Sequence, residues 1–395
     1  MAQPKTLKEW FCIKGDRLNF KPNVFKDANV IFCHEKMIID GARASVEKSF
    51  ATGEPVKMMI YGDWGVGKTH AVHNIAWWLD YNSETFSTKT VFFELGDITK
   101  KTNVGTVVRA VLDNIGLDEI IRLTGNYMAK TEVYLPEGLR GIGVGKDIAN
   151  AYQTFLSASP GDIPTEVVSY ALEHLKGGAV RGASSIGLTL QLTESNEFYD
   201  VLVCLGHLVE KVDEKHLIII ADEATKLEAV SGDEATEAHW ISANKLIYDD
   251  NNTHFGFIYT LSARAPSEFP EVLLTPQILN RLGKGNLIEL LNLSGPEVGD
   301  YLKNLVSEFV DMEAVKALVD SGEIGADFDE NTYPFTPGAF AHFIDFWENN
   351  QEDSKPRDIS DRLNDAGFIA LKSGKRLIDT DSLEAANMER GLSGR

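Results

Sequence analysis

A short glycine-rich stretch that ends in lysine and threonine has the composition of a phosphate-binding loop. Residues 62–69 read GDWGVGKT and match G-x-x-x-x-G-K-[ST] in full. Glycines let backbone N–H groups curl around phosphate oxygens, and the N-terminus of a following helix adds partial positive charge. We expect Lys68 to reach the β and γ phosphates of a bound nucleotide and Thr69 to ligate Mg²⁺. The predicted nucleotide-binding residues are Gly62, Asp63, Trp64, Gly65, Val66, Gly67, Lys68, Thr69 and His70.

An acidic pair follows a second apolar run. Residues 217–224 read LIIIADEA, so four apolar residues and an alanine precede Asp222 and Glu223. A buried parallel strand would deliver these carboxylates at its C-terminal edge, which is where an α/β sheet binds phosphates. Asp222 would hold the Mg²⁺ shell, and Glu223 would orient and deprotonate the attacking water. An acidic pair that only ends a strand is the alternative, and the complete phosphate loop favours the catalytic interpretation.

The elements needed to position these residues are visible in the apolar pattern. Short apolar runs at 56–61, 91–98, 217–222, 255–262 and 287–293 predict five strands, and 70–81 reads as a helix directly after the loop. Strands that are apolar on both faces and alternate with helices indicate a parallel sheet covered on both sides. The fold class is therefore α/β and doubly wound.

The helices divide the rest of the chain. More than a hundred residues separate the second and third strands, with helical stretches near 104–115, 146–158 and 196–212 and glycine-rich turns at 138–145 and 177–187. After residue 293 only helical periodicity remains, at 296–309, 312–321, 337–349, 356–372 and 380–390. We expect an N-terminal extension (1–29), an α/β nucleotide-binding domain (30–295) with a helical insertion at about 117–195, and a C-terminal helical lid (296–395).

Charge and composition restrict the partners. The chain has 59 acidic and 38 basic residues, for a formal charge of -21, and such a field repels phosphate backbones. Direct DNA binding is disfavoured, although an assembled ring or the basic residues of 1–26 could provide it; those charges also fit a solvated extension. Three cysteines without CxxC spacing indicate neither a disulfide framework nor a zinc site. Without a signal peptide or membrane span in the pattern, we expect a cytoplasmic protein.

From these motifs the sequence resembles the AAA+ ATPases, and within them the clade of origin-recognition initiators, over roughly residues 30–390. The resemblance implies that the strand after the acidic pair ends in a polar sensor, for which FGFIYTLSA at 255–263 offers Thr260, with Ser262 as second choice. Asparagine is common there, so this chain departs from the pattern. TPQILNRLGKGNLIEL at 275–290 resembles the segment with the arginine finger, which implies Arg281. KPRDISDRLNDAG at 355–367 resembles the lid sensor, which implies Arg357.

Two further segments resemble known ones. Residues 30–55 are similar to the helix that supplies backbone contacts to adenine in that clade, and His34 within it reads as an ordinary polar residue rather than a ligand. Residues 170–212 look like ATP-binding proteins of bacterial phage-exclusion (BREX) systems, which carry a leucine-arginine-glycine turn where this chain reads LKGG.

The sequence is compatible with three functions. The first is an ATPase that forms homo-oligomers in the ATP state and acts as a nucleotide-driven switch or motor in a bacterial multiprotein complex, with antiphage defence as its setting. The second is an initiator-like or transposition-regulating ATPase that assembles on DNA. The third is a scaffold that binds nucleotide without hydrolysing it, which the intact Lys68, Thr69, Asp222 and Glu223 disfavour.

Overall fold

The structure is a computed structural model of the chain, and it describes residues 6–33, 39–82, 87–181, 184, 187–188, 191–249 and 255–389. His34 lies outside the described residues. The chain forms two compact units. The sheet unit contains residues 40–62 and 75–289, and the lid unit contains residues 1–39, 63–74 and 290–395. The domain boundaries expected from sequence stay predictions.

Five strands form one sheet in the order β2-β3-β4-β1-β5. Their bounds are Lys57–Gly62 (β1), Thr88–Glu94 (β2), His216–Asp222 (β3), Phe255–Ser262 (β4) and Leu287–Leu290 (β5). Parallel ladders join β2 to β3, β3 to β4 and β4 to β1. The predicted α/β parallel sheet is confirmed, with two of its strands shorter at the carboxyl end than the apolar pattern indicated.

Helices make up most of the remaining described chain. They are Leu7–Trp10 (α1), Asp40–Thr52 (α2), Lys68–Tyr81 (α3), Gly105–Ile115 (α4), Leu117–Thr131 (α5), Leu135–Gly141 (α6), Lys146–Thr154 (α7), Glu166–Leu175 (α8), Ser195–Asp213 (α9), Glu234–Asp249 (α10), Pro276–Leu282 (α11), Gly295–Phe309 (α12), Met312–Asp320 (α13), Pro337–Asn349 (α14), Pro356–Lys372 (α15) and Thr380–Glu389 (α16). Within the described residues, none of these helices has the length and apolar character needed to cross a bilayer.

The core of the sheet unit explains why its strands read as continuous apolar runs. Leu217, Ile219 and Ala221 of β3 are fully buried, and so are Leu205 and Leu208 of α9, which belong to the same cluster.

The glycine-rich segment 138–145 was expected to be a turn, but its first residues belong to helix α6, which ends at Gly141. Gly138 is required there by packing, because a Cβ at that position would lie 2.3 Å from the hydroxyl of Tyr127.

The lid unit has a core of its own, to which the N-terminal segment contributes. Phe11 and Phe20 are fully buried in the same cluster as Phe309, Phe335 and Ile359. The segment also joins the lid through a β-bridge between Ile13 and Val310. Residues 6–33 are therefore packed into the lid core rather than forming a solvated extension, although several lysines of the segment remain exposed.

Candidate nucleotide site

The glycine-rich loop has the backbone conformation that its sequence predicts. β1 ends at Gly62, and Gly65 and Gly67 adopt φ values of 87° and 103°, which side-chain-bearing residues rarely take. α3 begins at Lys68, and the amide of Ala71 donates to the carbonyl of Gly67 over 2.9 Å. Lys68 is largely buried, and its Nζ donates to the backbone carbonyl of Asp63 over 2.8 Å. The lysine ammonium therefore lies folded back over its own loop.

The start of the lid helix α15 contacts this loop. The guanidinium carbon of Arg357 lies 3.9 Å from the centre of the Trp64 ring, a cation–π arrangement. Lys355, two residues earlier, forms an ion pair of 2.9 Å with Asp63. The sequence identified Arg357 as a lid residue for the nucleotide, and the structure places it at the phosphate loop. The sequence did not single out Lys355, because a lysine just before the helix looks like an ordinary surface charge until the fold brings it to Asp63.

The first turns of α3 are fastened by the N-terminal segment. A ring nitrogen of His70, Nε2, lies 3.1 Å from the carbonyl oxygen of Asp27, and Asn74 Nδ2 donates to the carbonyl of Ala28 over 2.7 Å. Burial lowers the pKa of His70 and so favours the neutral ring, whose Nε2–H donates to Asp27. His70 thus binds the chain's own backbone, and its contact with nucleotide stays a prediction.

In the sheet unit, the acidic pair is held by Thr260. One carboxylate oxygen of Asp222, Oδ1, accepts from the Thr260 hydroxyl and, over 2.9 Å, from the backbone amide of Glu223. The same amide also lies 3.1 Å from Thr260 Oγ1. Asp222 and Thr260 are both buried. Thr260 was expected to act as a sensor; its observed contacts fix Asp222 and the backbone of Glu223, and the sensor role stays a prediction.

These residues share one edge of the sheet with the end of β1. Asp222 is the last residue of β3 and pairs in register with Glu94 of β2, while Gly62 pairs with Ser262 of β4. The strands are parallel, so their carboxyl ends lie at the same edge, which is where α/β sheets bind ligands. Ser262, the second choice as sensor, donates its backbone amide to Thr225 Oγ1 over 2.6 Å.

Glu223 has an unusual backbone and a cationic partner. Its φ of 59° lies in the left-handed region, which is uncommon for a residue with a side chain and concentrates at functional sites. Lys226 forms ion pairs of 2.6 Å with Glu223 and 2.7 Å with Glu94, and donates to the carbonyl of Leu95 over 2.8 Å. Hydrogen bonds to Glu223 and Glu94 raise the pKa of Lys226, and the bond from Lys226 lowers the pKa of Glu94.

Arg281 stands near the end of α11 and is engaged within its own chain. Its Nε forms an ion pair with Asp249 at the end of α10, and both side chains are more than a third exposed. An arginine that inserts into a neighbouring subunit would have to leave this pair. Nothing in the sequence indicated Asp249 as a partner of Arg281.

The residues proposed for Mg²⁺ supply oxygen ligands, a hydroxyl from Thr69 and a carboxylate from Asp222, which is the donor type that this ion prefers. No group of three or more His, Cys, Asp or Glu side chains suited to a metal occurs among the described residues.

Comparison with solved structures identifies the architecture. The chain is similar to the ORC2 protein of Aeropyrum pernix, solved as ADPNP-ADP complexes, with a TM-score of 0.52 and 15% identity over 97% of this chain and 75% of that one. The chain has the AAA+ fold, a parallel sheet flanked by helices with further helices after it. Cdc6p from Pyrobaculum aerophilum (TM-score 0.49, 12% identity) also covers 97% of this chain and 75% of its own.

A third solved structure is more distant. The RuvB Holliday junction branch migration motor of Thermotoga maritima has a TM-score of 0.41 and 11% identity over 91% of this chain and 72% of that one. No family model and no curated protein matches the chain. At these identities the likeness concerns the fold, so residue roles must come from the site itself. The resemblance of 170–212 to phage-exclusion proteins stays a prediction.

Proposed function

We propose that this AAA+ protein binds ATP with Mg²⁺ and hydrolyses it to ADP and phosphate. The observation that carries the proposal is the complete phosphate loop, in which Gly65 and Gly67 take left-handed backbone conformations directly before α3. The carboxylate of Asp222, held by the Thr260 hydroxyl and the Glu223 amide, supports it. A loop without a ligand would have no need of this uncommon backbone conformation.

The chemistry assigned to each residue follows from its type. The loop amides and Lys68 bind the phosphates, and Glu223 orients a water and takes its proton as the water oxygen bonds to the γ phosphorus and the bond to the ADP oxygen breaks. Thr260 holds Asp222 and the backbone of Glu223 in place. Mg²⁺, held by Thr69 and Asp222, would neutralise charge on the β and γ phosphates.

Arg281 is proposed to act on the active site of a second copy, so that hydrolysis needs an oligomer. An arginine finger stabilises the charge that develops on the γ phosphate. Its exposed position at the end of α11 supports this role, because it can exchange Asp249 for a phosphate without disturbing a buried core.

The partner is proposed to be a protein. The charge of -21 opposes binding of naked DNA, and the resemblance of 170–212 supports a role in a bacterial defence complex. DNA retained with an ATP analogue at low salt and released steeply as salt rises would favour the initiator-like or transposition-regulating alternative instead.

Equilibrium binding tests the nucleotide assignment. Wild type should bind a nonhydrolysable ATP analogue in a Mg²⁺-dependent manner, and Lys68→Ala should weaken that binding by more than about tenfold because it removes a charge from the phosphates. Lys211→Ala serves as a matched control, because Lys211 is an exposed lysine on α9 whose partner is Glu210. Equal binding by wild type and Lys68→Ala would contradict the proposal.

A further inference from the structure

The phosphate loop carries two side chains, Asp63 and Trp64, at positions where the loop pattern accepts any residue. A loop that only wrapped phosphate would need nothing from them. Both instead contact cations at the start of α15, through the Asp63–Lys355 ion pair and the Arg357–Trp64 stack. These contacts all lie within the lid unit.

The backbone of the loop takes part in the same contact. A Cβ placed on Gly65 would lie 3.5 Å from Arg357 Cβ and 3.7 Å from Lys355 Cδ, so the loop packs directly against the stems of both cations. Of the pair, Asp63 and Lys355 are mostly buried, with 25% and 15% of their side chains exposed. Trp64 is 60% exposed, so the ring offers one face to Arg357 and the other to solvent.

The start of α15 is itself fixed in the lid, which makes it a firm support for these cations. The amide of Leu293 donates to the carbonyl of Ser354 over 2.9 Å, and the buried Ser354 hydroxyl donates back to the Leu293 carbonyl. The Tyr301 hydroxyl bonds Ser360 Oγ over 2.6 Å and the Pro356 carbonyl over 3.2 Å. A shift of the loop is therefore transmitted to the lid through Lys355 and Arg357.

A guanidinium stacked on an indole keeps its N–H groups available. The donors lie in the plane of the guanidinium and point outward from its edge, whereas the stack occupies only a face. Stacking also restricts the long arginine side chain before any ligand arrives, and preorganisation of this kind reduces the ordering cost of binding. Arg357 is exposed, so its edge is accessible to a phosphate.

We propose that Trp64 and Asp63 are positioning residues that hold Arg357 and Lys355 at the phosphate loop, so that Arg357 is ready for the γ phosphate and the protein favours ATP over ADP. This inference rests on the proposed function for its nucleotide. The stack is a contact within the chain and can be tested without any ligand.

The ligand-free test uses the fluorescence of Trp64, obtained as the difference between the wild-type and Trp64→Phe proteins. Arg357→Ala should raise the acrylamide quenching of that difference signal, because the guanidinium no longer covers one ring face. Phe368→Ala provides the matched control: it removes the contact of Lys372 with Phe368, at 4.2 Å, about three turns further along α15. Quenching of Trp64 that is unchanged in Arg357→Ala would overturn the stack.

The nucleotide test compares the affinities for ADP and for a nonhydrolysable ATP analogue. Trp64→Ala should lower the preference for the ATP analogue by about two- to tenfold with ADP affinity unchanged, as expected for loss of a cation–π support. Trp64→Phe should restore much of it, because the ring face is kept. Arg357→Ala should lose the same preference, and the double variant should lose no more than Arg357→Ala alone.

The results distinguish the proposed nucleotide binding from the positioning role of Trp64 and Asp63. A wild type that binds neither nucleotide contradicts the proposed function, while the quenching result still decides the stack. A wild type that binds both, together with a Trp64→Ala variant that keeps the wild-type preference or whose effect adds to that of Arg357→Ala, overturns the inference alone. The single variant Lys355→Asp should lower the preference for the ATP analogue over ADP, and the double variant Asp63→Lys with Lys355→Asp should restore it. Failure of this rescue would show that the Asp63–Lys355 ion pair does not contribute to the preference.

Discussion

Lys226 Nζ lies 2.6 Å from the carboxylate of Glu223, three residues earlier in the chain. The same ammonium also forms an ion pair with Glu94 at the end of β2, so it restricts the orientation of the Glu223 carboxylate. The residue proposed to deprotonate water is therefore restrained in the structure.

Removing this restraint should accelerate hydrolysis. Because both side chains are more than a third exposed, the pair contributes at most about 1 kcal/mol, so Lys226→Met should raise kcat by up to about fivefold with KM little changed. Lys211→Met, which breaks the comparable exposed pair with Glu210, is the control. Steady-state phosphate release checks this, and a lower kcat in Lys226→Met would instead make Lys226 a participant in the reaction.

Thr260 should be needed for catalysis through its hydroxyl. Thr260→Val keeps the shape but removes the hydroxyl that donates to Asp222 and lies beside the Glu223 amide, which should lower the free energy of unfolding by about 1–3 kcal/mol. We expect kcat to fall by about tenfold or more, since about 1.4 kcal/mol corresponds to that factor. Thr260→Ser should retain most of the activity. Urea denaturation and phosphate release check both values, and wild-type kcat in Thr260→Val would refute the role.

Arg281 should act in trans. Arg281→Ala should reduce kcat by about a thousandfold, the lower end of the range for arginine fingers. A mixture of Arg281→Ala with Glu223→Gln should regain activity, because one variant supplies the base and the other the arginine. Asp249→Asn should raise activity at low protein concentration by releasing Arg281. The rate of the mixture is measured against protein concentration, and a mixture no faster than its components would contradict the action of Arg281 in trans.

Acid should destabilise the insertion through His174. This histidine of α8 is fully buried, neither ring nitrogen has a hydrogen-bond partner within the described residues, and burial lowers its pKa despite Asp147 and Glu197. The unfolded chain, with a pKa near 6.5, then binds more protons than the folded one below that pH, so stability is complete above about pH 6.5 and falls as pH drops.

Urea midpoints between pH 8 and 5.5 measure this effect. His174→Leu should show a shallower fall than wild type, with the remainder due to His70 and His239, whose pKa values burial also lowers. A variant with the wild-type pH dependence would exclude His174 as a cause.

Much of the fold could be predicted because it is encoded locally. Apolar runs located all five strands, and periodicity placed α3 at 70–81 against the observed Lys68–Tyr81. The loop and the acidic pair were found for the same reason, since each is contiguous in sequence. The order of the strands was not predicted, because it depends on contacts between distant residues.

The partners of the site residues were beyond a reading of the sequence. Lys355 and Asp249 look like ordinary surface charges, and only the folded chain brings them to Asp63 and Arg281. Packing of residues 6–33 into the lid was also missed. Its apolar positions, Phe11 and Phe20, are too far apart to form a periodic pattern.

ATP turnover by Glu223→Gln tests the central claim most directly. Glu223→Gln keeps the shape of the side chain and removes its basicity, so the variant should bind ATP as tightly as wild type and release phosphate at least about a hundredfold more slowly. We expect the variant to bind ATP without turning it over, and we expect turnover by wild type to depend on Mg²⁺. Equal rates in the two proteins, or no hydrolysis by wild type at any protein concentration, would contradict it.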